Sequence, residues 1–386
     1  MIVLARAQQN GTIARGKAEM KIRLNKKTIR RGLSVFFGVS LASIVVVFLF
    51  TDSADTIAAL HRIEPLYLLA ALGVTAVDLL GGGLRMYVLT RGMGRPLKYS
   101  DALRSSVASI AMGAVTPSQA GGGPAMIFIL YRSGLTVAEA MSAGLMSFVV
   151  TVLFYVLAAA GITLSGINTS VDDPTIQGLF HYGLGVFMVI GVVFIVFTTW
   201  PNLLRGLLRA VFQFVSRFRR RPLLRPGSRA NALFDLIADF HNSNKMYFGR
   251  RLPEFIASFF ITAVIFSSKC FLAWLVVRGL GVHGDIWQVM SLQILILLAI
   301  YFFPTPGGAG AAELGSAVLM ANILPAELLP VYVVIWRVIV MYVAVVAGSV
   351  VMLHMLVSDS VVAEGPRDIA VEHTDEKKIA VSVESP

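Results

Sequence analysis

The chain has 386 residues, 56% of them hydrophobic and 14% charged, and carries a formal net charge of +11. A soluble domain holds roughly 25% charged residues, and several apolar runs here reach the ~20 residues of a spanning helix. A soluble enzyme or binding module is therefore excluded, a polytopic all-α membrane protein is expected, and the alternating pattern of a membrane β-barrel is missing.

The first 31 residues are basic and polar. Arg6, Arg15, Lys17, Lys21, Arg23, Lys26, Lys27, Arg30 and Arg31 precede the first apolar run, with no small-residue cleavage site after it. This segment, 1–31, reads as a disordered cytosolic tail rather than a signal peptide. Full spans are expected at about 33–50, 65–90, 137–164, 176–200, 254–280 and 328–357. The membrane domain is thus 32–357, followed by a polar tail, 358–386, that reads as disordered.

Two further apolar pieces, 102–133 and 286–323, are broken internally by Pro and Gly. The arms of the first run from Ala102 to Val115 and from Ala125 to Tyr131, too short at 1.5 Å per residue for a ~30 Å core. A re-entrant hairpin is expected. Loop charge supports it: with 102–133 returning to its own side, the long basic loop 201–253 falls inside and Asp172 and Asp173 fall outside. Charge parity does not choose between two crossings and one hairpin for 286–323. The likeness of its break to the first makes it a hairpin entered from the opposite side. The fold class is then about six full spans plus two re-entrant broken hairpins in an inverted repeat.

Within 201–253, Leu203, Leu204, Leu207, Leu208, Val211, Phe212 and Val215 follow helical spacing with Arg205 and Arg209 interleaved. This predicts an amphipathic helix on the cytosolic leaflet that binds anionic lipid. Leu233, Phe234, Leu236, Ile237 and Phe240 suggest a second; a soluble helical hairpin is the alternative.

Backbone freed from helical bonding inside a membrane lines a cavity or is buried in protein. That makes the breaks the candidate binding site: Pro117, Ser118, Gln119, Gly121 and Gly122 in the first, Pro306, Gly307 and Gly308 in the second. Ser118 and Gln119 either meet a ligand or cap the freed backbone. Ionisable groups at membrane depth are functional candidates by default. Asp78 and Arg85 lie one heptad apart, Lys269 is mid-span, Glu313 follows the second break, and Arg337 sits in the last span. Asp78 precedes Pro117 by 39 residues and Lys269 precedes Pro306 by 37, so an inverted repeat gives them related places and lets them pair. Arg85 either faces the cavity or snorkels. Glu313 and Arg337 are expected in one polar site with the breaks; a structural ion pair is the alternative. Gly81-Gly82-Gly83 points to close helix packing. Cys270 reads as a small buried hydrophobe. The six histidines show no metal-ligand spacing, and no phosphate loop or dinucleotide fingerprint occurs, so neither metal nor cofactor is expected.

Thr116-Pro117-Ser118-Gln119-Ala120-Gly121-Gly122-Gly123-Pro124-Ala125 with Leu130-Tyr131-Arg132-Ser133-Gly134 forms one motif. Tyr301-Phe302-Phe303-Pro304-Thr305-Pro306-Gly307-Gly308-Ala309-Gly310-Ala311-Ala312-Glu313 forms the other. Together they resemble the membrane domain of lysylphosphatidylglycerol synthases and the stand-alone flippase-like proteins related to it, over about 33–357. Many members carry Glu and Arg shortly after the first Gly pair, where Gly123 and Met126 stand here. Larger members add a cytosolic aminoacyl-transferase domain; about thirty residues follow 357 in this sequence, so aminoacyl-lipid synthesis is not expected. The resemblance implies a non-enzymatic lipid translocase in the cell membrane, both termini cytosolic, moving a polar or anionic headgroup between leaflets. Its partner would be a membrane phospholipid or lipid-linked substrate, with no nucleic acid. A membrane enzyme or an accessory scaffold acting on a lipid-linked substrate is the alternative.

Overall fold

The computed structural model describes residues 26–49, 64–91, 97–165 and 229–364, with isolated helical positions between 185 and 210. In chain order the helices are α1 (Lys26–Leu49), α2 (Pro65–Arg91), α3 (Tyr99–Ala114), α4 (Gly122–Arg132) and α5 (Val137–Ser165). They continue with α6 (Arg229–Phe248), α7 (Leu252–Gly279), α8 (Ile286–Phe302) and α9 (Ala311–Met320). A 3₁₀ turn (Ala326–Leu328) then leads into α10 (Leu329–Arg337), a π-helical segment (Val338–Tyr342) and α11 (Val343–Glu364). No strand forms among the described residues.

Four stretches are long and apolar enough to cross a bilayer: Pro65–Arg91, Val137–Ile162, Leu252–Gly279 and Ala326–Met352. They match four of the six expected spans. The expected span at 33–50 corresponds to α1, whose described apolar part, Gly38–Val47, is shorter. The span expected at 176–200 and the amphipathic helix expected at 203–215 fall outside the described residues, apart from scattered helical positions. Two boundaries change. Helix α1 begins at Lys26, so Lys26, Lys27, Arg30 and Arg31 form its first turns rather than the end of a disordered tail; Lys and Arg are good helix formers and do not end a helix where the apolar run ends. Likewise α11 extends to Glu364, into the segment read as a disordered tail.

Local sequence explains the helix starts. Thr136 and Glu139 cap α5 reciprocally: the Thr136 N–H donates to Glu139 Oε2 at 2.7 Å and the Glu139 N–H to Thr136 Oγ1 at 3.2 Å. Asp285 caps α8 by accepting from the Gln288 N–H at 2.9 Å. Pro253 stands in the first turn of α7, where its missing N–H leaves no bond unmade.

Helix α2 is packed between α3 and α7, and its three consecutive glycines set the approach. A Cβ at Gly83 would lie 2.9 Å from Leu103 Cα, one at Gly82 would strike Ser106 Oγ, and one at Gly81 would lie 2.8 Å from Ile265 Cγ1. Without side chains there, backbones close to van der Waals contact, as small residues allow in membranes. The opposite face of α2 exposes Leu66, Leu69, Leu72, Val77, Leu80 and Leu84. An apolar stripe of this size suits lipid rather than water.

Two of the buried clusters among the described residues matter most for the site. One gathers Leu272, Val276, Leu292, Ile296, Met320, Tyr332 and Trp336 from α7 to α10. The other gathers Met86, Leu89, Leu130, Met146 and Tyr247. Tyr247 belongs to α6, the second helix expected in the basic loop. Its hydroxyl donates to Leu89 O at 2.6 Å, and Ser142 Oγ donates to Phe240 O at 3.3 Å. Helix α6 therefore rests its buried face on the ends of α2 and α5. Burial pushes the Tyr247 phenol well above its ordinary pKa, with Arg251 opposing the shift.

Candidate functional site

Each break is flanked by two short helices. Helices α3 and α4 have 16 and 11 residues, and α8 and α9 have 17 and 10. At ~1.5 Å rise per residue, each is shorter than a ~30 Å hydrocarbon core.

In the first break Thr116 satisfies the freed backbone. Its hydroxyl donates to Met112 O at 2.7 Å and accepts from the Gly121 N–H at 2.8 Å. Ser118 and Gln119 hold left-handed φ of 50° and 55°. The cap that could have fallen to Ser118 or Gln119 is thus supplied by their neighbour. A Cβ at Gly122 would lie 2.7 Å from Ser109 O, so α4 starts pressed against α3.

In the second break the left-handed positions are glycines: Gly307, Gly308 and Gly310 at φ 59°, 67° and 90°. Thr305 Oγ1 donates to Ala309 O at 2.7 Å. Glu313, in the first turn of α9, turns its carboxylate back to accept from the Gly310 N–H at 2.7 Å. The same carboxylate accepts from Arg337 Nε at 2.9 Å and from the Ser40 hydroxyl. Arg337 Nη2 donates to Gly307 O at 2.9 Å, and the Tyr342 hydroxyl donates to Ser40 Oγ at 2.9 Å. The Glu313 and Arg337 side chains are 0% and 2% exposed. The pair is a buried clamp on the glycine turn, with additional hydrogen bonds of the kind that make a buried pair tolerable. The π-helical segment begins at Val338, directly after Arg337; such segments recur at functional sites.

The breaks meet. Pro117 and Pro306 pair across an antiparallel bridge, and Ser118 Oγ donates to Phe303 O at 3.5 Å. Beside this junction lies a cavity of about 410 Å³. Of the residues singled out in the sequence, Asp78, Arg85, Ser118, Gln119, Gly122, Lys269, Gly307 and Arg337 line it. Pro117, Gly121, Pro306, Gly308 and Glu313 do not: the prolines join the turns to each other, and Glu313 is spent on Gly310, Ser40 and Arg337. Asp78 and Lys269 pair at 3.1 Å between α2 and α7, as their matching spacing from the breaks suggested. Arg85 does not reach for an interface; its Nη1 donates to Thr151 Oγ1 at 3.2 Å and approaches Thr262 Oγ1 at 3.5 Å.

Sequence reasoning missed a set of hydroxyls on the same cavity: Ser106, Ser109, Ser147, Thr151 and Tyr155. The signal was weak, an i, i+3 or i, i+4 spacing of small polar residues that membrane helices also use for packing. It also missed Ser40 and Tyr342 as partners of Glu313 and of each other. The cavity thus combines three cations, one carboxylate and several hydroxyls among its described lining residues. Such a surface can hold a polar, charged group inside an apolar bundle. No group of three His, Cys, Asp or Glu placed to hold a metal ion occurs among the described residues. Cys270 is fully buried.

The sequence matches the family model of the lysylphosphatidylglycerol synthase TM region over residues 35–348. It is also 22% identical over 282 residues to a UPF0104 membrane protein of Archaeoglobus fulgidus, covering 73% of this chain and 84% of that one. The match includes α2 to α10, both breaks and every residue of the cavity, and it makes this chain a multi-pass membrane protein of the lysylphosphatidylglycerol synthase TM region family.

Proposed function

We propose that the protein is a lipid translocase of the cell membrane that passes a polar headgroup between leaflets through the cavity at the junction of the breaks, both termini being cytosolic. In this reading α3–α4 and α8–α9 are re-entrant hairpins entered from opposite faces, the two halves of an inverted repeat. The observation that carries it is the polar cavity of about 410 Å³ beside the Pro117–Pro306 bridge, in a bundle whose outer face is apolar. An accessory scaffold would need no such space between its breaks. The reading includes no covalent step. Among the described lining residues Asp78 is the one carboxylate, and Lys269 engages it. Anionic lipid at the basic loop 201–253 would hold the cytosolic side against the leaflet.

The test is reconstitution of the purified chain in vesicles holding a trace of phospholipid labelled on its acyl chain with a dithionite-sensitive fluorophore. Translocation exposes label from both leaflets, so bleaching should pass beyond the outer-leaflet half. Bleaching that stops where protein-free vesicles stop overturns the proposal. Placement of the breaks is tested separately by cysteines at Ser118 and Thr305: slow labelling is expected, and labelling at the rate of a surface loop from one side would remove the hairpins.

A further inference from the structure

The last long stretch of helix changes its winding between two bodies of the bundle. Helix α10 passes through the π-helical segment Val338–Tyr342 into α11. Before that segment the chain is tied to the second break. Arg337 bonds Glu313 and Gly307 O, and Tyr332 and Trp336 pack in the cluster of Leu292, Ile296 and Met320. After it the chain is tied to the first break. A Cβ at Gly348 would strike Val107 O and lie 2.7 Å from Ala111 Cβ, so α11 is pressed against α3. Met352 of α11 packs with Ala108 of α3 and Ile129 of α4.

Widening a helix to i→i+5 bonding leaves a carbonyl to find a donor elsewhere. Here Ile339 O accepts from Thr75 Oγ1 of α2 at 3.4 Å. The same hydroxyl lies 3.2 Å from Ala71 O, and it has one hydrogen for both carbonyls. Thr90, Thr151 and Thr262 make the corresponding bond within their own helices at 2.9, 2.9 and 2.7 Å. The hold of α2 on the π segment is therefore long and shared. At the far end of the segment Tyr342 bonds Ser40 through neutral hydroxyls, a weaker tie than the charge-assisted bond of Arg337 at the near end. Arg337 also bonds Gly307 O, next to Pro306, so the segment starts level with the Pro117–Pro306 bridge, and a swing about it displaces that contact least. Val340 and Met341 line the cavity, so the swing reshapes its wall.

We propose that Val338–Tyr342 is a hinge: α11 swings with α3 and α4 as one body against α8, α9 and α10, and Thr75 moves its hydrogen between Ala71 O and Ile339 O as it does so. This rests on the translocase reading for the purpose of the swing, which is to open the cavity to one leaflet and then to the other.

The experiment measures distances between paired nitroxide labels by pulsed electron resonance, on the full chain in vesicles with Cys270→Ala removing the native thiol. Labels at Val318 and Val346, both exposed, report across the hinge; labels at Ser100 and Val346 lie within one body. Two distances are expected across the hinge and one within the body. Deletion of Val338, which is exposed, returns the segment to the residue count of an α-helix. It should leave one distance across the hinge and slow translocation at least about tenfold. Thr75→Val keeps the shape and loses the donor, and should change the ratio of the two distances at least about threefold while the distance within the body stays the same. One distance across the hinge in the wild type overturns the inference even where lipid moves, and so does a ratio that neither variant changes. Equal broadening of both label pairs by Thr75→Val makes Thr75 a structural residue and overturns its part in the hinge. Two distances in vesicles where no lipid moves overturn the translocase reading and leave the hinge standing. If deletion of Val338 gives no folded protein, Thr75→Val decides.

Discussion

At the second break the left-handed residues are glycines, and a buried Glu313–Arg337 pair ties the turn to the last long helix. At the first break they are Ser118 and Gln119, and the turn is held by the Thr116 hydroxyl. A side chain in the left-handed region costs about 1–2 kcal/mol where glycine costs almost nothing. Two turns of similar outline are therefore built to different ends. The second half is clamped and unstrained; the first stores strain and presents Ser118 and Gln119 to the cavity. Strain of this kind gathers at sites that bind or move. In a translocase, the first hairpin would be the moving wall and the second the fixed one.

The largest expected effect comes from breaking the clamp. Arg337→Ala leaves the Glu313 carboxylate buried beside Ser40 and Gly310, and Glu313→Gln leaves the Arg337 guanidinium without its countercharge. Removing one member of a buried pair costs about 3–5 kcal/mol. Each single variant should lose thermal stability in detergent, with Glu313→Gln/Arg337→Met less damaged than either single substitution. Of the two readings that the sequence offers, a shared polar site or a structural ion pair, the 0% and 2% exposure of these side chains puts folding first. Full stability of Arg337→Ala would erase the distinction between clamped and strained halves.

Adding one methyl group to each half comes next. At Gly308 an alanine must hold φ 67° with its Cβ 2.5 Å from Ile300 Cγ2. Left-handed strain of this type costs about 1–3 kcal/mol before the clash is counted. At Gly123 a Cβ meets nothing within 4 Å. Gly308→Ala should fall in melting temperature and Gly123→Ala should not, and equal losses would mean that the left-handed glycine of the second break is no more constrained than the open position at Gly123. The converse substitution is Gln119→Gly, which relieves a left-handed side chain. It should raise stability by about 1 kcal/mol and slow translocation. A slower and more stable variant would mark the strain as functional; a less stable one would show that the Gln119 side chain holds the turn.

Much of this contrast is legible in the residues. Pro combined with several Gly announces a break in each of these two apolar runs, because together they do not continue a helix cheaply, whereas the three glycines of α2 leave it unbroken. The Asp78–Lys269 pair is legible because symmetric spacing from two similar motifs gives related depths. The clamp is half legible: Glu313 and Arg337 are costly at membrane depth and need partners, but Ser40 lies 273 residues from Glu313 and 302 from Tyr342, and no local pattern joins them. That Glu313 would turn back on Gly310 is a capping geometry, which moves it off the cavity although it follows the glycines closely. The left-handed pair in the first break is hidden for a different reason. Gly121, Gly122 and Gly123 invite the positive φ angles, yet Ser118 and Gln119 take them because Gly121 and Gly122 are needed for close approach to Thr116 and Ser109.

The smallest effect concerns support of the first half from outside the bundle. Tyr247 joins α6 to the end of α2, the helix that carries Asp78 and Arg85, by donating to Leu89 O at 2.6 Å. Tyr247→Phe leaves that carbonyl without this donor and should cost about 1 kcal/mol near neutral pH. The loss should also depend on pH in a defined sense. Burial raises the folded-state pKa of the phenol far above its ordinary 10.0, so the folded chain keeps the proton that the unfolded chain releases. The stability tied to that proton is fully present below about pH 10 and declines as pH rises beyond it, because only the unfolded state gains by ionising. Phenylalanine has no proton to lose. The gap between wild type and Tyr247→Phe should therefore be constant from neutral pH to about pH 9 and narrow above pH 10. A gap that stays constant through pH 11 would place the phenol in contact with water, and α6 would then be a loose cover rather than the outer support of the strained half.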